Sequence, residues 1–338
     1  MISIQIIKPG EIRIIEKEIP VISDDEVLIK IKYVGFCGSD LSSFLGRNPM
    51  VSYPVIPGHE IAGVIERKGK SVPSGIGIGQ KVTVIPYTSC GTCASCMRGR
   101  PNACQFNQTL GVQRDGAMSE YISVPWTKIL VSDALSLEEL AIVEPLTVGF
   151  HAVSRGRATE NDTVAVLGMG IIGVGALISA VNRGADVYAV DIDDGKLDFA
   201  MTLGARGTIN SKKENLVDRL SGLAGGNGPD LVIEAAGRPA TYLAAVSGVS
   251  FTGRVVCIGY AGEDIAFATK LFVQKELDIM GSRNAGTEDF REVVRFLKKG
   301  KFDAGQIISR VVNPGDANAA MKEWAGDPGK VFKLLVKF

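Results

Sequence analysis

The sequence predicts an α/β protein: a doubly wound parallel sheet, preceded by a β-rich part. Two observations carry this reading. From about 160 onward, six short apolar runs alternate with helical stretches, the pattern of parallel strands joined by crossovers. Before about 150, strand-like runs are separated by Gly and Pro punctuation. A chain of 338 residues, 46% hydrophobic and 22% charged, is long enough for two such cores.

Taken in order, the opening "MISIQIIKPGEIRI" alternates as strands do and lacks the form of a signal peptide. "EVLIKIKYVGFC" (26–37), "EIAGVIERKG" (60–69) and "QKVTVIPY" (80–87) are the next strands. The parallel sheet is expected from "TVAVLG" (163–168), "DVYAVD" (186–191), "GTIN" (207–210), "DLVIEAAG" (230–237), "RVVCIG" (254–259) and "LDIMGS" (277–282). "GKLDFAMTLGA" (195–205) is one of the helices between them. "EDFREVVRFLKKGK" (288–301) reads as an amphipathic helix and "KVFKLLVKF" (330–338) as a closing strand.

Bulk composition excludes some functions. Lys+Arg and Asp+Glu are 37 each, so the basic excess of a nucleic-acid partner is missing. No run of 18 apolar residues predicts a membrane partner. The expected compartment is the cytoplasm, where clustered cysteines mean metal or catalysis more often than disulfides.

"TVAVLGMGIIGVGALISAVNRGADVYAVD" places G-x-G-x-x-G at Gly168, Gly170 and Gly173, with Ile171 and Ile172 between the last two. The motif closes one strand, opens a helix and is followed by a second strand ending in Asp191, which is the context a dinucleotide fingerprint requires. Gly168 serves the tight turn, Gly170 the approach of a pyrophosphate and Gly173 the packing of helix on strand. Asp191 favours NAD over NADP, because its charge accepts a ribose hydroxyl and repels a 2′-phosphate.

A nicotinamide enzyme acting on alcohols needs an electrophile. "GFCGSD" offers Cys37, Ser39 and Asp40; "PGHEIAG" offers His59 and Glu60. Thiolate, imidazole and carboxylate suit Zn²⁺ with one position left open. "CGTCASCMRGRPNAC" spaces Cys90, Cys93, Cys96 and Cys104 for a closed tetrahedral S4 zinc, which is structural because no position remains for substrate. A C-x-x-C redox site lacks the βα frame it would need here. Cys257, in an apolar strand, reads as a buried small hydrophobe.

In that order, "GFCGSD", "PGHEIAG", "CGTCASCMRGRPNAC", "EPL" and "VLGMGIIG" resemble the zinc-containing medium-chain alcohol dehydrogenases over nearly the whole chain. The resemblance implies a GroES-like catalytic domain (1–150, with a structural-zinc lobe at about 86–106), a Rossmann NAD-binding domain (151–284) and a return to the catalytic domain (285–338). It implies two zinc ions. Cys37 and His59 become ligands of a catalytic zinc, with Glu60 a third ligand as in the sorbitol dehydrogenase branch. Glu144 takes the place of a cysteine ligand and is implied to bind zinc directly or through water. Asp40 is implied to orient the zinc histidine, Ser39 to pass a proton onward, and Lys333 to reach the cofactor pyrophosphate. Ser42 stands where simple alcohol dehydrogenases carry a relay histidine.

"GSRNAGTEDF", "VIPYTSCGTC" and "GVQRDGAMSEY" look most like bacterial hexonate 5-dehydrogenases. That likeness implies oxidation of L-galactonate or L-gulonate at C5, with Arg283 pairing the substrate carboxylate and Asn284 replacing the branch's aromatic residue. A polyol, a polyol phosphate or L-threonine is the alternative substrate, and an NAD(H)-binding sensor is the non-enzymatic alternative. The resemblance further implies a homodimer or homotetramer, built partly by pairing of strand 277–282 across chains.

Overall fold

The computed structural model describes residues 1–338. The chain forms two compact units: Met1–Glu144 together with Gly286–Phe338, and Pro145–Ala285. The first crossing lies earlier than the boundary expected after 150, because Val143–Arg155 is one continuous helix that carries residues 145–155 into the second unit. No helix is long and apolar enough to cross a membrane.

The first unit begins with an antiparallel pair, β1 (Ile2–Lys8) and β2 (Glu11–Glu16). Next come β3 (Glu26–Phe36), β4 (Glu60–Lys68), β5 (Lys81–Val84), β6 (Tyr121–Pro125) and β7 (Ile129–Val131). The second unit holds β8 (Thr163–Leu167), β9 (Asp186–Asp191), β10 (Gly207–Asn210), β11 (Leu231–Glu234), β12 (Arg254–Cys257) and β13 (Asp278–Gly281). The chain then returns to the first unit with β14 (Ile308–Val312) and β15 (Lys333–Lys337).

In the first unit a seven-stranded sheet runs β14-β15-β3-β4-β5-β7, with β6 also paired to β3. β3 is therefore the hub, and it is buried along almost its whole length rather than on alternate positions. Ile29, Ile31, Val34, Phe36, Ile61, Ile65, Leu334 and Val336 form the centre of its core.

In the second unit the order is β10-β9-β8-β11-β12-β13, and every pairing is parallel. This is the 3-2-1-4-5-6 order of doubly wound dinucleotide-binding sheets. The inner strands "TVAVL" and "LVIE" are nearly all apolar because helices cover both faces. β13 is an edge, and its Asp278 and Ile279 are exposed. Cys257, expected to be buried, is half-buried, since β12 ends there.

Several elements are shorter than the sequence suggests. β11 stops at Glu234 because its carboxylate takes the Ala236 and Gly237 N–H groups into a turn, at 3.0 and 2.8 Å. The helix expected over 288–301 is Thr287–Leu297, and Gly300 beyond it adopts φ +65, left-handed backbone that glycine favours. At the opposite end of the sheet, Arg254 donates to Gly156 O (2.8 Å) and Arg157 O (3.0 Å) and pairs with Asp162. Asp162 in turn accepts from Thr159 N at 2.7 Å, so one ion pair closes the 156–162 turn onto β12.

Candidate active site

The first unit gathers Cys37, His59 and Glu60, contributed by the ends of two neighbouring strands. β3 ends at Phe36, and Cys37 caps the short helix Gly38–Phe44. β4 begins at Glu60, directly after His59. Register pairs Gly35 with Glu60 across β3 and β4. A Cβ at Gly35 would lie 1.8 Å from Glu60 Oε2, so only glycine lets the carboxylate fold over the strand. Gly58, at φ +98, is likewise confined: a Cβ there would stand 2.7 Å from Val34 Cγ1.

One donor atom from each of Cys37, His59 and Glu60 lies within 4.8 Å of the others. The surroundings are strongly anionic. Asp40, Glu60 and Glu144 are all buried beside the Cys37 thiol, with His59 and Lys333 the neighbouring cations. Burial lifts the carboxyls of Asp40 and Glu144 above the usual carboxylate range, with His59 opposing. Burial would lower the His59 imidazole, but Cys37, Asp40 and Glu144 outweigh it and raise it well above its ordinary value. His59 Nδ1 is buried with no hydrogen-bond partner. A pocket of this charge, with a thiol, an imidazole and a carboxylate converging, fits a divalent metal bound by mixed S, N and O ligands.

Two expected roles change. Asp40 was expected to orient the histidine ring. Its Oδ2 accepts from Cys37 N at 2.8 Å and its Oδ1 from Gly58 N at 3.4 Å. It therefore braces the backbone beside both ligand positions, because it occupies the third position of a helix whose first N–H groups need acceptors. Lys333 was expected to reach a pyrophosphate. It is buried instead, because β15 runs beside β3, and its Nζ donates to both Glu60 oxygens at 2.5 and 2.6 Å and to Phe36 O at 3.2 Å. Burial opposes its charge, but Glu60 and Cys37 raise its pKa overall. Lys333 is thus the counter-ion of Glu60.

Glu144 lies in the first turn of Val143–Arg155, buried, and outside the three-donor group. Its Oε1 accepts the hydroxyl of Tyr87, a residue that reading of the sequence missed. The available signal was an aromatic residue with a polar tip at the end of an apolar strand, three positions before Cys90. Ser39 Oγ is buried and unpartnered, as a hydroxyl reserved for a ligand would be. Ser42 is half-buried on the same short helix.

The four-cysteine lobe is a second donor group. Cys90, Cys93, Cys96 and Cys104 form no disulfide, and their sulfurs converge within 4.8 Å. Cys93 Sγ stands 3.5 Å from Cys96 Sγ and 3.8 Å from Cys104 Sγ. A tetrahedral S4 zinc with bonds of about 2.3 Å sets its sulfurs about 3.8 Å apart, so the lobe fits the ion. The Ser95 hydroxyl and nearby backbone pull Cys93 down to about 5, while burial and its neighbours push Cys96 up to about 11.

In the second unit the glycine motif closes β8 and opens the helix Ile171–Asn182. Gly168 has φ +96, and a Cβ at Gly173 would meet Gly168 O at 1.8 Å. A Cβ at Gly170 would meet nothing within 4 Å, leaving room over the helix N-terminus. Ile171 and Ile172 form its first turn. Asp191 ends β9 beside this turn, with Oδ2 accepting from Met169 N at 2.6 Å and Oδ1 from Ile192 N at 2.8 Å. Turn, helix and acidic strand end together fit a dinucleotide. Arg283 and Asn284 follow β13, both half-buried. Asn284 has φ +54, a left-handed backbone that asparagine tolerates and an aromatic residue would not adopt readily.

Comparison with known proteins agrees with this architecture. Residues 23–133 match the alcohol dehydrogenase GroES-like domain, and residues 172–299 match the zinc-binding dehydrogenase family. The L-galactonate-5-dehydrogenase of Escherichia coli K12 is 36% identical over 302 residues, covering 89% of this chain and 88% of that protein. The sorbitol dehydrogenase of Bacillus subtilis is 33% identical over 334 residues, covering 96% and 94%. The crystal structure of an Escherichia coli CFT073 protein described as a short chain alcohol dehydrogenase (rspB), complexed with NADH, superposes with a TM-score of 0.91 at 34% identity, covering 100% of this chain and 99% of that one. The chain belongs to the zinc-type medium-chain alcohol dehydrogenases, an oxidoreductase family, within its polyol and sugar-acid dehydrogenases.

Proposed function

We propose that this protein oxidises a secondary hydroxyl of a sugar acid, a hexonate such as L-galactonate or L-gulonate, at C5 to the ketone, using NAD⁺. The observation that carries the reaction class is the convergence of Cys37, His59 and Glu60 in an anion-rich buried pocket. Arg283, a bidentate partner for a carboxylate, supports the acidic substrate. So does the 36% identity to an L-galactonate-5-dehydrogenase. The identity to a sorbitol dehydrogenase favours a neutral polyol as the second reading.

Cys37, His59 and Glu60 would hold the catalytic zinc, and Cys90, Cys93, Cys96 and Cys104 the structural one. When bound, the zinc makes a substrate hydroxyl more acidic and the nicotinamide takes up a hydride. The chain's own residues do the rest. Ser39 Oγ, free of other partners, takes the substrate proton as it hands its own hydroxyl proton on toward the cofactor ribose. Glu144, anchored by Tyr87, orients a neighbouring hydroxyl. The Gly168–Gly173 turn cradles the pyrophosphate of NAD, and Asp191 accepts a ribose hydroxyl and repels a 2′-phosphate. Asn284 borders the substrate beside Arg283. The exposed edge β13 supports assembly as a homodimer or homotetramer by strand pairing.

NAD⁺ reduction at 340 nm across L-galactonate, L-gulonate, sorbitol, galactitol 1-phosphate, L-threonine and ethanol tests the reading. Turnover confined to a hexonate and lost in Arg283→Met is the expected result. Turnover on neutral polyols, unchanged in that variant, removes the sugar-acid assignment. Wild-type activity in Cys37→Ser would remove the metal site.

A further inference from the structure

Tyr87 is a buried phenol outside the three-donor group, and its hydroxyl meets the Glu144 carboxylate. Its backbone is fixed on both sides. Ile85 N donates to Lys128 O at 2.7 Å, Leu110 N to Pro86 O at 3.1 Å and Gln108 N to Thr88 Oγ1 at 2.7 Å. Its ring meets Phe290 edge-on, with centroids 6.4 Å apart and planes at 71°. Phe290 is itself fully buried. The hydroxyl is thereby aimed at one acceptor, Glu144 Oε1.

We infer that Tyr87 is a positioning residue whose hydroxyl holds the Glu144 carboxylate beside the Cys37, His59 and Glu60 donors and keeps it from completing their set. The inference rests on reading those three residues as metal ligands. A phenol has one proton, so it binds one carboxylate oxygen and fixes the rotation of the group. A buried carboxylate deprived of that donor is driven toward the nearest cation. A divalent metal already held by three side chains is such a cation, and a fourth protein ligand would close the site as structural zinc sites are closed. The Tyr87–Glu144 bond therefore preserves an open position for the substrate hydroxyl.

The test uses full-length protein loaded with Co²⁺, whose visible absorption reports coordination. A difference spectrum against Cys37→Ser isolates this site from the four-cysteine lobe. In wild type, azide should shift the spectrum, because one position is open. In Tyr87→Phe the azide response should vanish and cobalt loss to a chelator should slow by about tenfold. Turnover of the zinc enzyme should fall about 10- to 100-fold with the KM for NAD⁺ unchanged. Tyr87→Phe/Glu144→Gln should regain the azide response, since the phenol acts through Glu144. A Tyr87→Phe protein with wild-type azide response and chelator rate overturns the inference. Identical cobalt spectra in wild type and Cys37→Ser would instead remove the three-ligand reading, and the inference with it. Should Tyr87→Phe fail to fold, wild type alone decides: no azide response overturns the inference.

Discussion

Replacing Lys333 by Met probes the ion pair behind the metal pocket. The side chains are of similar length, so packing changes little while the charge disappears. Lys333 is 2% exposed and Glu60 0%, with Nζ 2.5 and 2.6 Å from the two carboxylate oxygens. Solvent can neither screen the pair nor hydrate the survivor. Breaking such a pair from one side costs about 3–5 kcal/mol, because a buried charge is left uncompensated. That is a large share of a total stability of about 5–15 kcal/mol. Removing both charges in Glu60→Gln/Lys333→Met should cost much less, giving a coupling of several kcal/mol. Both tryptophans, Trp126 and Trp324, lie in the first unit, so urea unfolding followed by their fluorescence reports the unit that contains the pair. Protein stripped of metal should show the full loss. Metal-loaded protein should show less, because a bound cation offers Glu60 a second countercharge. A loss below about 1 kcal/mol in stripped Lys333→Met would refute the reasoning, as it is the range of an exposed pair.

Arg254→Met should destabilise the second unit by about 3 kcal/mol, leaving Asp162 buried without its partner. Faster hydrogen exchange at the β12 amides, with tryptophan fluorescence unchanged, is the expected sign. Cys93→Ser should lower bound zinc by one ion per chain in elemental analysis and reduce the melting temperature, and full zinc retention would show that the lobe does not hold the ion. Burial holds the Glu234 carboxyl above its usual range, although Thr241 and nearby backbone N–H groups oppose the shift. The folded state then keeps its proton to higher pH than an unfolded carboxyl of about 4.3, so this group's contribution to stability falls as pH rises from there through the raised value. Glu234→Gln removes that fall, and its urea midpoint relative to wild type should climb with pH; parallel curves would show that Glu234 is not perturbed.

What the sequence displays well is what short-range spacing encodes. The glycine motif, the alternation of β8 to β13 with helices and the cysteine spacing each depend on residues close in the chain. Cys37, His59 and Glu60 could be grouped only by their ligand chemistry, because 21 residues lie between Cys37 and His59 and no local pattern joins them. The contact of Lys333 with Glu60 is hidden from the sequence for a related reason. A lysine in "KVFKLLVKF" reads as an exposed or ligand-facing cation unless β15 is known to lie against β3. For Asp40, the choice between orienting the His59 ring and bracing the backbone depends on the distance to Gly58, which the sequence does not display. Tyr87 was passed over because a strand-end tyrosine is ordinary until Glu144 is found above it.

The placement of β15 has a consequence for biosynthesis. The strand that joins β14 to β3 comes from residues 333–337, so the first unit's sheet cannot close while those residues are still untranslated. Glu60 waits for a counter-ion 273 positions downstream, a delay of about 15–55 s at ribosomal rates of about 5–20 residues per second. The second unit is contiguous from Pro145 to Ala285 and is complete well before that. The order of maturation is therefore inverted relative to the order of synthesis: the part made in the middle can finish first, and the part begun first finishes last. During that interval the Tyr33–Phe36 end of β3 presents an unpaired edge to the nascent-chain environment, which makes the first unit the part that chaperones would guard.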